Sequence, residues 1–164
     1  METSTANLKA TARRRRTDRS RPKLTLTSLV QMSQRQLDDL FASSPAGATP
    51  AGVAEGRGIV APGTPVGAGL QPLLRLAWRG KVFYPERHDL LNRIGPLNVL
   101  LARAQVYRDV SWSDGREAIV LDYSISSLPF RAIRDEIREV APGLYLGVVY
   151  WTGRKTINFA LQFR

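Results

Sequence analysis

The sequence predicts a mainly β protein, an antiparallel barrel of about seven to nine strands, and three observations support this prediction. Hydrophobic residues make up 43% of the 164 residues, which is enough for one packed core. From residue 73 onward, short runs rich in Val, Ile, Leu, Tyr and Trp alternate with turn signals. The turns Ser113-Asp114-Gly115 and Pro142-Gly143 are typical of β-hairpins. A meander of hairpins closes into a barrel because closure leaves no long edge unpaired.

The predicted strands are the seven apolar runs between these turns: Leu73–Tyr84, Leu90–Ile94, Val99–Val110, Glu117–Ser124, Phe130–Val140, Leu144–Trp151 and Ile157–Phe163. The run Phe130–Val140 also fits a helix, because its apolar residues recur at helical spacing and its charges would form one solvated face. Periodicity alone favours the helix for this run, and a strand remains the alternative.

Before the barrel core, the spacing of Ser33 and Gln36 is that of a capping box at a helix start. An amphipathic stripe follows, formed by Leu37, Leu40 and Phe41. Pro45 and Gly47 end the pattern, so the sequence predicts one short helix over about residues 34–43.

The sequence divides into four segments. The last three, residues 28–164, are expected to form a single domain. We expect a disordered Arg-rich arm over residues 1–27, the short helix within 28–44, a wrapping segment over 45–72 and the barrel core over 73–164. The wrapping segment has seven Gly and five Pro, which favours wide turns around one edge strand.

The formal charge of +10 is concentrated in the arm. Residues 1–23 carry eight basic and two acidic side chains, whereas residues 24–164 carry 16 basic and 12 acidic ones. The arm has too few apolar residues to offset the entropy of ordering, so we expect it to be disordered. Nucleic acid or an anionic surface is a candidate partner only through residues 9–23. A solvated tail, or an extension preceding a start at Met32, are the alternatives.

Composition excludes several classes of chemistry. The chain has no cysteine, which excludes disulfides, thiol catalysis and cysteine metal sites, and its one histidine, His88, excludes multi-histidine sites. No apolar run approaches the roughly 18 residues of a membrane helix, and Arg13–Arg16 lead into a polar segment, unlike a secretory or twin-arginine signal. No phosphate loop or dinucleotide fingerprint is present. We therefore expect a cytoplasmic protein with no cofactor and no metal.

Aromatic and charged side chains in the strand runs are the candidates for a site. Strand alternation sends some of the charges inward, where an unpaired charge is costly, so we expect an Arg–carboxylate network at the barrel floor or around a ligand. Aromatic walls with a few convergent polar groups are typical of a small-molecule pocket. The alternative is that the charges face water and the aromatic rings fill the core. Buried carboxylates shift their pKa toward neutrality, and the acid–base candidates are Asp122, Asp135 and Glu136.

Two patches resemble a known family. The run Trp78-Arg79-Gly80-Lys81-Val82-Phe83 resembles the Trp-x-Gly-Lys-x-Phe signature of small bacterial domains named for a Gly-x-Trp-x-Gly motif. Asp122, Asp135–Val140 and Leu144–Gly147 resemble that family's Tyr-Asp, Asp-x-Phe-Arg-x-Val and Leu-Leu-Gly elements. The chain departs from the pattern at Leu121 and Ile137 and lacks the Gly-x-Trp-x-Gly box.

The resemblance covers residues 73–163 at most. The chain as a whole is also similar to uncharacterised actinobacterial proteins that carry the run Arg134–Gly147. The resemblance implies a barrel similar to lipocalins and fatty-acid-binding proteins, with Phe130–Val140 as a strand and a small apolar ligand inside. The positions that it carries over are Trp78, Lys81, Asp122, Asp135 and Arg138.

The favoured hypothesis is the binding of a small hydrophobic or amphipathic ligand inside the barrel. Apolar contact would come from the aromatic residues Trp78, Tyr107, Trp112, Tyr123 and Tyr150. Asp135 and Arg138 would orient a polar head, and Lys81 and Asp122 complete the candidate set. One alternative is an isomerase, cyclase or lyase that uses a carboxylate–arginine pair in the same pocket, although the sequence does not favour an enzyme. A second is an interaction protein that acts through the basic arm.

Overall fold

The computed structural model describes residues 23–126, 128 and 130–164, and these form a closed eight-stranded antiparallel barrel. The strands are β1 Gly52–Ile59, β2 Trp78–Tyr84, β3 Asp89–Ile94, β4 Val99–Val110, β5 Glu117–Asp122, β6 Ile133–Ala141, β7 Leu144–Trp151 and β8 Arg154–Phe163. Each strand pairs with the next along the chain, and β8 pairs with β1 to close the sheet. The predicted mainly β barrel is confirmed. The predicted arm lies outside the described residues as far as residue 22.

Three helices accompany the barrel among the described residues, where the sequence predicted one. They are α1 Leu26–Val30, α2 Gln34–Ser43 and α3 Pro65–Ala77. The helix predicted over 34–43 is confirmed as α2, and Ser33 and Gln36 form its capping box. Helix α1 begins inside the segment expected to be disordered, and its own capping box joins Thr25 and Ser28.

Helix α3 corrects two expectations. It takes up the end of the wrapping segment and the first five residues of the predicted strand run Leu73–Tyr84. Thr64 caps its N-terminus and Pro65 stands at the first helical position, where the missing N–H of proline costs nothing. Two glycines and the interior Pro72 hide the helical pattern in the sequence. Strand β1 also lies within residues 45–72, so that segment supplies one wall of the barrel.

The segment with ambiguous periodicity is strand β6, as the family resemblance implied. Helix α2 packs against β6 and β7 from outside, so both faces of β6 are largely buried. Its outward charges are Arg134, Glu136 and Arg138, and each is paired. A strand buried on both faces does not show the simple alternation of apolar and polar residues, which is why a helix fitted the pattern.

The hydrophobic core has two parts, divided by the barrel wall. Inside the barrel, one half is filled by apolar side chains that include Phe83, Leu90, Val106, Ile137 and Leu161. Outside, α1 and α2 bury apolar side chains against β1, β7 and β8, including Leu29, Leu37, Phe41, Leu146 and Ala160. Apolar side chains thus fill one half of the barrel interior, and α1 and α2 pack on the outside. The other half of the interior is free for a cavity.

The two ends of the barrel differ in their connections. At one end lie α3 between β1 and β2, the β3–β4 hairpin, the β5–β6 connection and the β7–β8 hairpin. We call this the cavity end, because a cavity opens inside the barrel there. At the opposite end lie the other three connections, and exposed His88 is in the first of them. No helix in the described part of the chain is both long enough and apolar enough to cross a membrane.

Candidate functional site

A cavity of about 250 Å³ opens inside the barrel at the cavity end. Its apolar lining comes from α3, from five strands and from the β5–β6 connection: Leu74, Ala77, Trp78, Ile94, Phe130, Ile133, Val149, Ile157 and Phe159. Its volume lies just below the range of about 300–1,000 Å³ typical of small-molecule sites. The cavity is therefore of a size to hold one small ligand.

Four polar side chains form the floor of the cavity, where it meets the packed half of the barrel. Lys81 Nζ donates hydrogen bonds to Asn92 Oδ1 at 3.0 Å, to the Tyr123 hydroxyl at 2.5 Å and to Asp135 Oδ2 at 3.0 Å. Asn92 Nδ2 donates to the Tyr123 hydroxyl and to the carbonyl of Ala102. Trp78 Nε1 donates to Asn92 Oδ1 at 3.1 Å. We call Lys81, Asn92, Tyr123 and Asp135 the polar floor.

One atom of the polar floor has no partner. All three N–H groups of Lys81 donate hydrogen bonds. Both N–H groups of the Asn92 amide donate as well, and its Oδ1 accepts two hydrogen bonds. Asp135 is buried, and its Oδ1 has no hydrogen-bond partner among the described residues. A buried acceptor without a partner is costly. The floor therefore offers an acceptor, on Asp135, to any group in the cavity that can donate a hydrogen bond.

The charge of Lys81 is stabilised by its surroundings. Burial acts to lower the pKa of Lys81, but the Tyr123 hydroxyl and the Asp135 carboxylate outweigh it and raise the pKa above its ordinary value. Three aromatic rings also surround the ammonium, those of Trp78, Tyr123 and Phe159, with centroids 5.1–5.4 Å from Nζ. Burial raises the pKa of Tyr123 to about 12. At neutral pH the floor thus holds a protonated lysine beside a neutral phenol.

Two glycines position Trp78 at the cavity wall. The ladder between β2 and β3 has a bulge between Trp78 and Gly80, and Gly80 has a φ of +132°. A Cβ on Gly80 would lie 2.1 Å from the carbonyl oxygen of Ala54, so only glycine fits. A Cβ on Gly56 would lie 2.7 Å from the Trp78 ring. The ring therefore lies over Gly56, in edge contact with Phe159 at 5.7 Å.

Four of the predicted site residues meet in the cavity: Trp78, Lys81, Tyr123 and Asp135. Strand alternation within the Trp78–Phe83 motif puts Lys81 and Phe83 inside the barrel, and the bulge at Gly80 brings Trp78 to the same side. Sequence reasoning missed Asn92. The only available signal was that this amide interrupts the apolar run Leu90–Ile94 at an inward position.

The structure places Tyr107 and Asp122 on the outer surface of the barrel, away from the cavity lining. The Tyr107 hydroxyl donates to Asp122 Oδ2 at 3.1 Å, and Ser124 N donates to Asp122 Oδ1. In the register of β4 and β5, Tyr107 pairs with Val120 and Asp122 with Gln105, so Tyr107 and Asp122 are diagonal neighbours on the outer face. A difference of one residue in position decides whether a side chain lies inside or outside the barrel, because side chains alternate between the two faces of a strand.

Trp112, Glu136 and Tyr150 also lie outside the barrel and do not line the cavity. Trp112 packs edge-on against Tyr150 and under the Arg134 guanidinium at 4.4 Å. Glu136 accepts hydrogen bonds from Ser111 Oγ at 2.5 Å and from Trp112 N at 2.9 Å. These contacts fix the β4–β5 hairpin to β6, which is a structural role.

The expected placement of Arg138 beside Asp135 in the ligand site is wrong. Arg138 is completely buried on the outer face of β6 and donates bidentate hydrogen bonds to Asp114 at 2.6 and 2.7 Å. Its other bonds go to the carbonyls of Phe41, Glu117 and Arg116. Because these two positions are three apart on one strand, they face opposite sides of the sheet. The cation beside Asp135 is Lys81, so the carboxylate–arginine pair of the enzyme alternative does not exist in the cavity.

Among the described residues, no group of three or more His, Asp or Glu side chains is arranged to hold a metal ion. The polar floor supplies one carboxylate to the cavity, and Lys81 already occupies one of its oxygens. The donors and acceptors of the site suit a neutral organic group.

Comparison with known proteins supports the fold. No family model matches the chain, and no curated protein matches it. A crystal structure of a protein from Thermomonospora curvata is similar, with a TM-score of 0.55 and 19% sequence identity over 82% of this chain and 90% of that chain. This is a similarity of fold.

Proposed function

We infer that the protein binds a small, largely apolar molecule inside its barrel, with a hydrogen-bond donor of that molecule directed at Asp135. The unpartnered Oδ1 of Asp135, buried at the floor of an otherwise apolar cavity, is the observation that supports this proposal most strongly. Apolar walls supply affinity, and one buried polar group fixes orientation. Family resemblance to barrels that hold apolar ligands agrees with the proposal.

The polar floor favours an alcohol over an anion. The three donors of Lys81 are occupied, and a carboxylate ligand would bring a second negative charge beside Asp135. A hydroxyl can donate to Asp135 Oδ1 and leave the rest of the floor unchanged. We therefore expect short isoprenoid or aliphatic alcohols to bind better than the corresponding acids.

Geraniol and its methyl ether form a matched pair of probes for this site. The two differ in the hydroxyl proton, which only geraniol can donate. We expect geraniol to raise the melting temperature saturably and to bind about tenfold more tightly than the ether, since a buried acceptor left unpaired costs about 1–3 kcal/mol. Isothermal titration calorimetry on the full chain measures both affinities. Failure of both compounds to bind, or equal affinities for the two, would contradict the proposal.

Filling the cavity gives a second test. Ile157 lines the cavity, whereas Ile125 lies at the same end of the barrel with its side chain exposed. Ile157→Phe should abolish geraniol binding because the added ring takes up the space, and Ile125→Phe should leave binding unchanged. Circular dichroism of both variants establishes that the barrel remains folded. Binding that survives Ile157→Phe would place the ligand elsewhere.

An enzyme is the second candidate function, and Asp135 would be its acid–base group. Its carboxyl faces an apolar cavity through Oδ1, as a proton-transfer group of an isomerase, cyclase or lyase would. Incubation of geraniol with wild-type protein, followed by NMR of the products, separates the two functions. A carrier leaves the alcohol unchanged, whereas an enzyme forms product that Asp135→Asn abolishes.

A further inference from the structure

The exposed apolar side chains are concentrated at the cavity end. Fifteen large hydrophobic side chains are exposed among the described residues, and eleven of them lie on α3 or on the hairpins and connection of this end. The most exposed are Leu97 at 86% and Leu128 at 68%. Trp151 is also more than half exposed there, at the end of β7. Apolar patches of this kind mark interaction surfaces.

The same end carries positive charge and no carboxylate in its connections. Residues 60–77, 95–98, 123–132 and 152–153 contain no Asp or Glu. Five arginines lie on these connections or beside them in the strands, and all are at least partly exposed: Arg75, Arg79, Arg93, Arg131 and Arg154. We call these arginines and the eleven exposed apolar side chains the basic apolar rim.

A groove lined with arginines runs along the outer wall of the barrel, from the rim toward the opposite end. Arg75, Arg79 and Arg93 line a concavity of about 550 Å³ together with Arg57 and Arg164. Glu55 is the only acidic side chain among the described residues that line it, and it is paired with Arg57 at 2.5 Å and with Arg164 at 3.7 Å. The hydrogen bond from Arg57 is the largest influence on Glu55 and lowers its pKa. Arg75, Arg79 and Arg93 form no ion pair among the described residues, so their positive charge is available to an anionic partner.

A second copy of the chain is a poor occupant of this face. Contact between two basic apolar rims would bring ten arginines of the same sign together. An anionic surface matches both the charge and the exposed apolar side chains. Apolar and aromatic residues flanked by arginine are the composition of segments that lie in a membrane interface.

We propose that the basic apolar rim docks on an anionic lipid bilayer, with Leu97, Leu128 and Trp151 in the interface and the arginines at the phosphate groups. Docking brings the mouth of the cavity to the membrane surface. The proposal is independent of the cavity's own ligand, because it rests on the outer surface of the barrel end.

Vesicle sedimentation with charge-matched variants tests whether the arginines of the rim bind the lipid phosphate groups. The full chain is used throughout, so the basic segment before residue 24 is the same in every sample. The rim variant replaces three exposed arginines by Gln: Arg75, Arg79 and Arg131. The control makes the same change of net charge at the opposite end of the barrel: Arg87, Arg108 and Arg116.

Wild-type protein should sediment with vesicles of phosphatidylglycerol and phosphatidylcholine and much less with phosphatidylcholine alone. The rim variant should bind the anionic vesicles at least about tenfold more weakly than the wild type. The control should bind them nearly as well as the wild type. Equal losses in both variants would mean that net charge or the N-terminal segment alone drives binding, which would overturn the proposal.

Quenching by brominated lipid tests the insertion of the rim. Trp151 lies at the rim, whereas Trp112 packs on the outer wall of the barrel against Tyr150 and Arg134, and both are about half exposed. Brominated anionic vesicles should quench the wild type and Trp112→Phe, and Trp151→Phe should lose most of that quenching. Leu97→Ser should weaken vesicle binding, while Val110→Ser at the opposite end should leave it unchanged. Quenching that persists in Trp151→Phe, or a wild-type dimer that Leu97→Ser dissociates with no vesicle binding, would refute docking on lipid.

Discussion

Lys81 joins the walls of the barrel through one ammonium group. It donates to side chains from β3, β6 and the residue that follows β5, so four segments of the barrel meet at one buried charge. Removal of one partner of a buried ion pair leaves the other charge uncompensated, which lowers stability. Removal of both partners together changes stability little. The polar floor is therefore a site of high energetic consequence, independent of any ligand.

We expect Lys81→Met to lower the free energy of unfolding by about 3–5 kcal/mol, because Asp135 is then buried without its cation. The double variant Lys81→Met/Asp135→Leu should regain most of this loss. Urea unfolding at neutral pH measures both, with Arg79→Met, at the exposed neighbouring position, as the control. A double variant as unstable as the single one would contradict the coupling of the two residues.

The polar floor also predicts how stability depends on alkaline pH. The folded pKa of Lys81 lies above its ordinary 10.5, and that of Tyr123 lies at about 12 against an ordinary 10.0. Above pH 10 the folded protein therefore holds more protons than the unfolded chain. The contribution of both groups to the free energy of unfolding is complete below pH 10. It is lost as the pH rises through the pKa values that the two groups have in the folded protein.

The free energy of unfolding should thus fall as the pH rises from about 10 to about 12. Tyr123→Phe should make this fall shallower, because one of the titrating groups is gone. Tyr145 and Tyr150, whose pKa values burial also raises to about 12, retain part of the slope in that variant. Urea unfolding at a series of alkaline pH values measures the slope, and a slope unchanged by Tyr123→Phe would contradict this account.

Among the elements, α2 and α3 show why one helix was predictable and the other was not. Helix α2 has a capping box and an apolar stripe without interruption, and both signals are local. Helix α3 contains two glycines and a proline, and its partner is the mouth of a barrel formed by distant strands. Local propensity argued against this helix, whereas contacts with β1 and β2 stabilise it.

Two glycines of α3 give a matched pair of substitutions. A Cβ on Gly67 would lie 2.4 Å from the carbonyl oxygens of Val60 and Ala61, whereas a Cβ on Gly69 would meet nothing within 4 Å. Gly69→Ala should stabilise the protein by about 0.5–1 kcal/mol through helix propensity. Gly67→Ala should destabilise it by about 1–3 kcal/mol through overpacking. Thermal unfolding of both variants is the measurement, and equal effects would argue against this position of α3.

For the whole molecule, the repeating hairpin signals were enough to predict a closed barrel, because each strand pairs with its neighbour in sequence. The site was predicted only in part. Trp78, Lys81, Tyr123 and Asp135 meet because each faces inward at the same depth, which depends on the register of distant strands. Arg138 was misplaced because a list of charges does not reveal which face of β6 helix α2 covers.

The indole N–H groups provide the most direct measurement of ligand binding, since each of the three tryptophans marks a different region. Trp78 lies at the cavity, Trp151 at the rim and Trp112 on the outer wall of the barrel against Tyr150 and Arg134. In an NMR titration of the ¹⁵N-labelled protein with geraniol, the Trp78 indole signal should shift saturably because its partner Asn92 belongs to the polar floor. The Trp112 signal should stay in place. A Trp78 signal that does not move, or three indole signals that drift together without saturation, would contradict a ligand site inside the barrel.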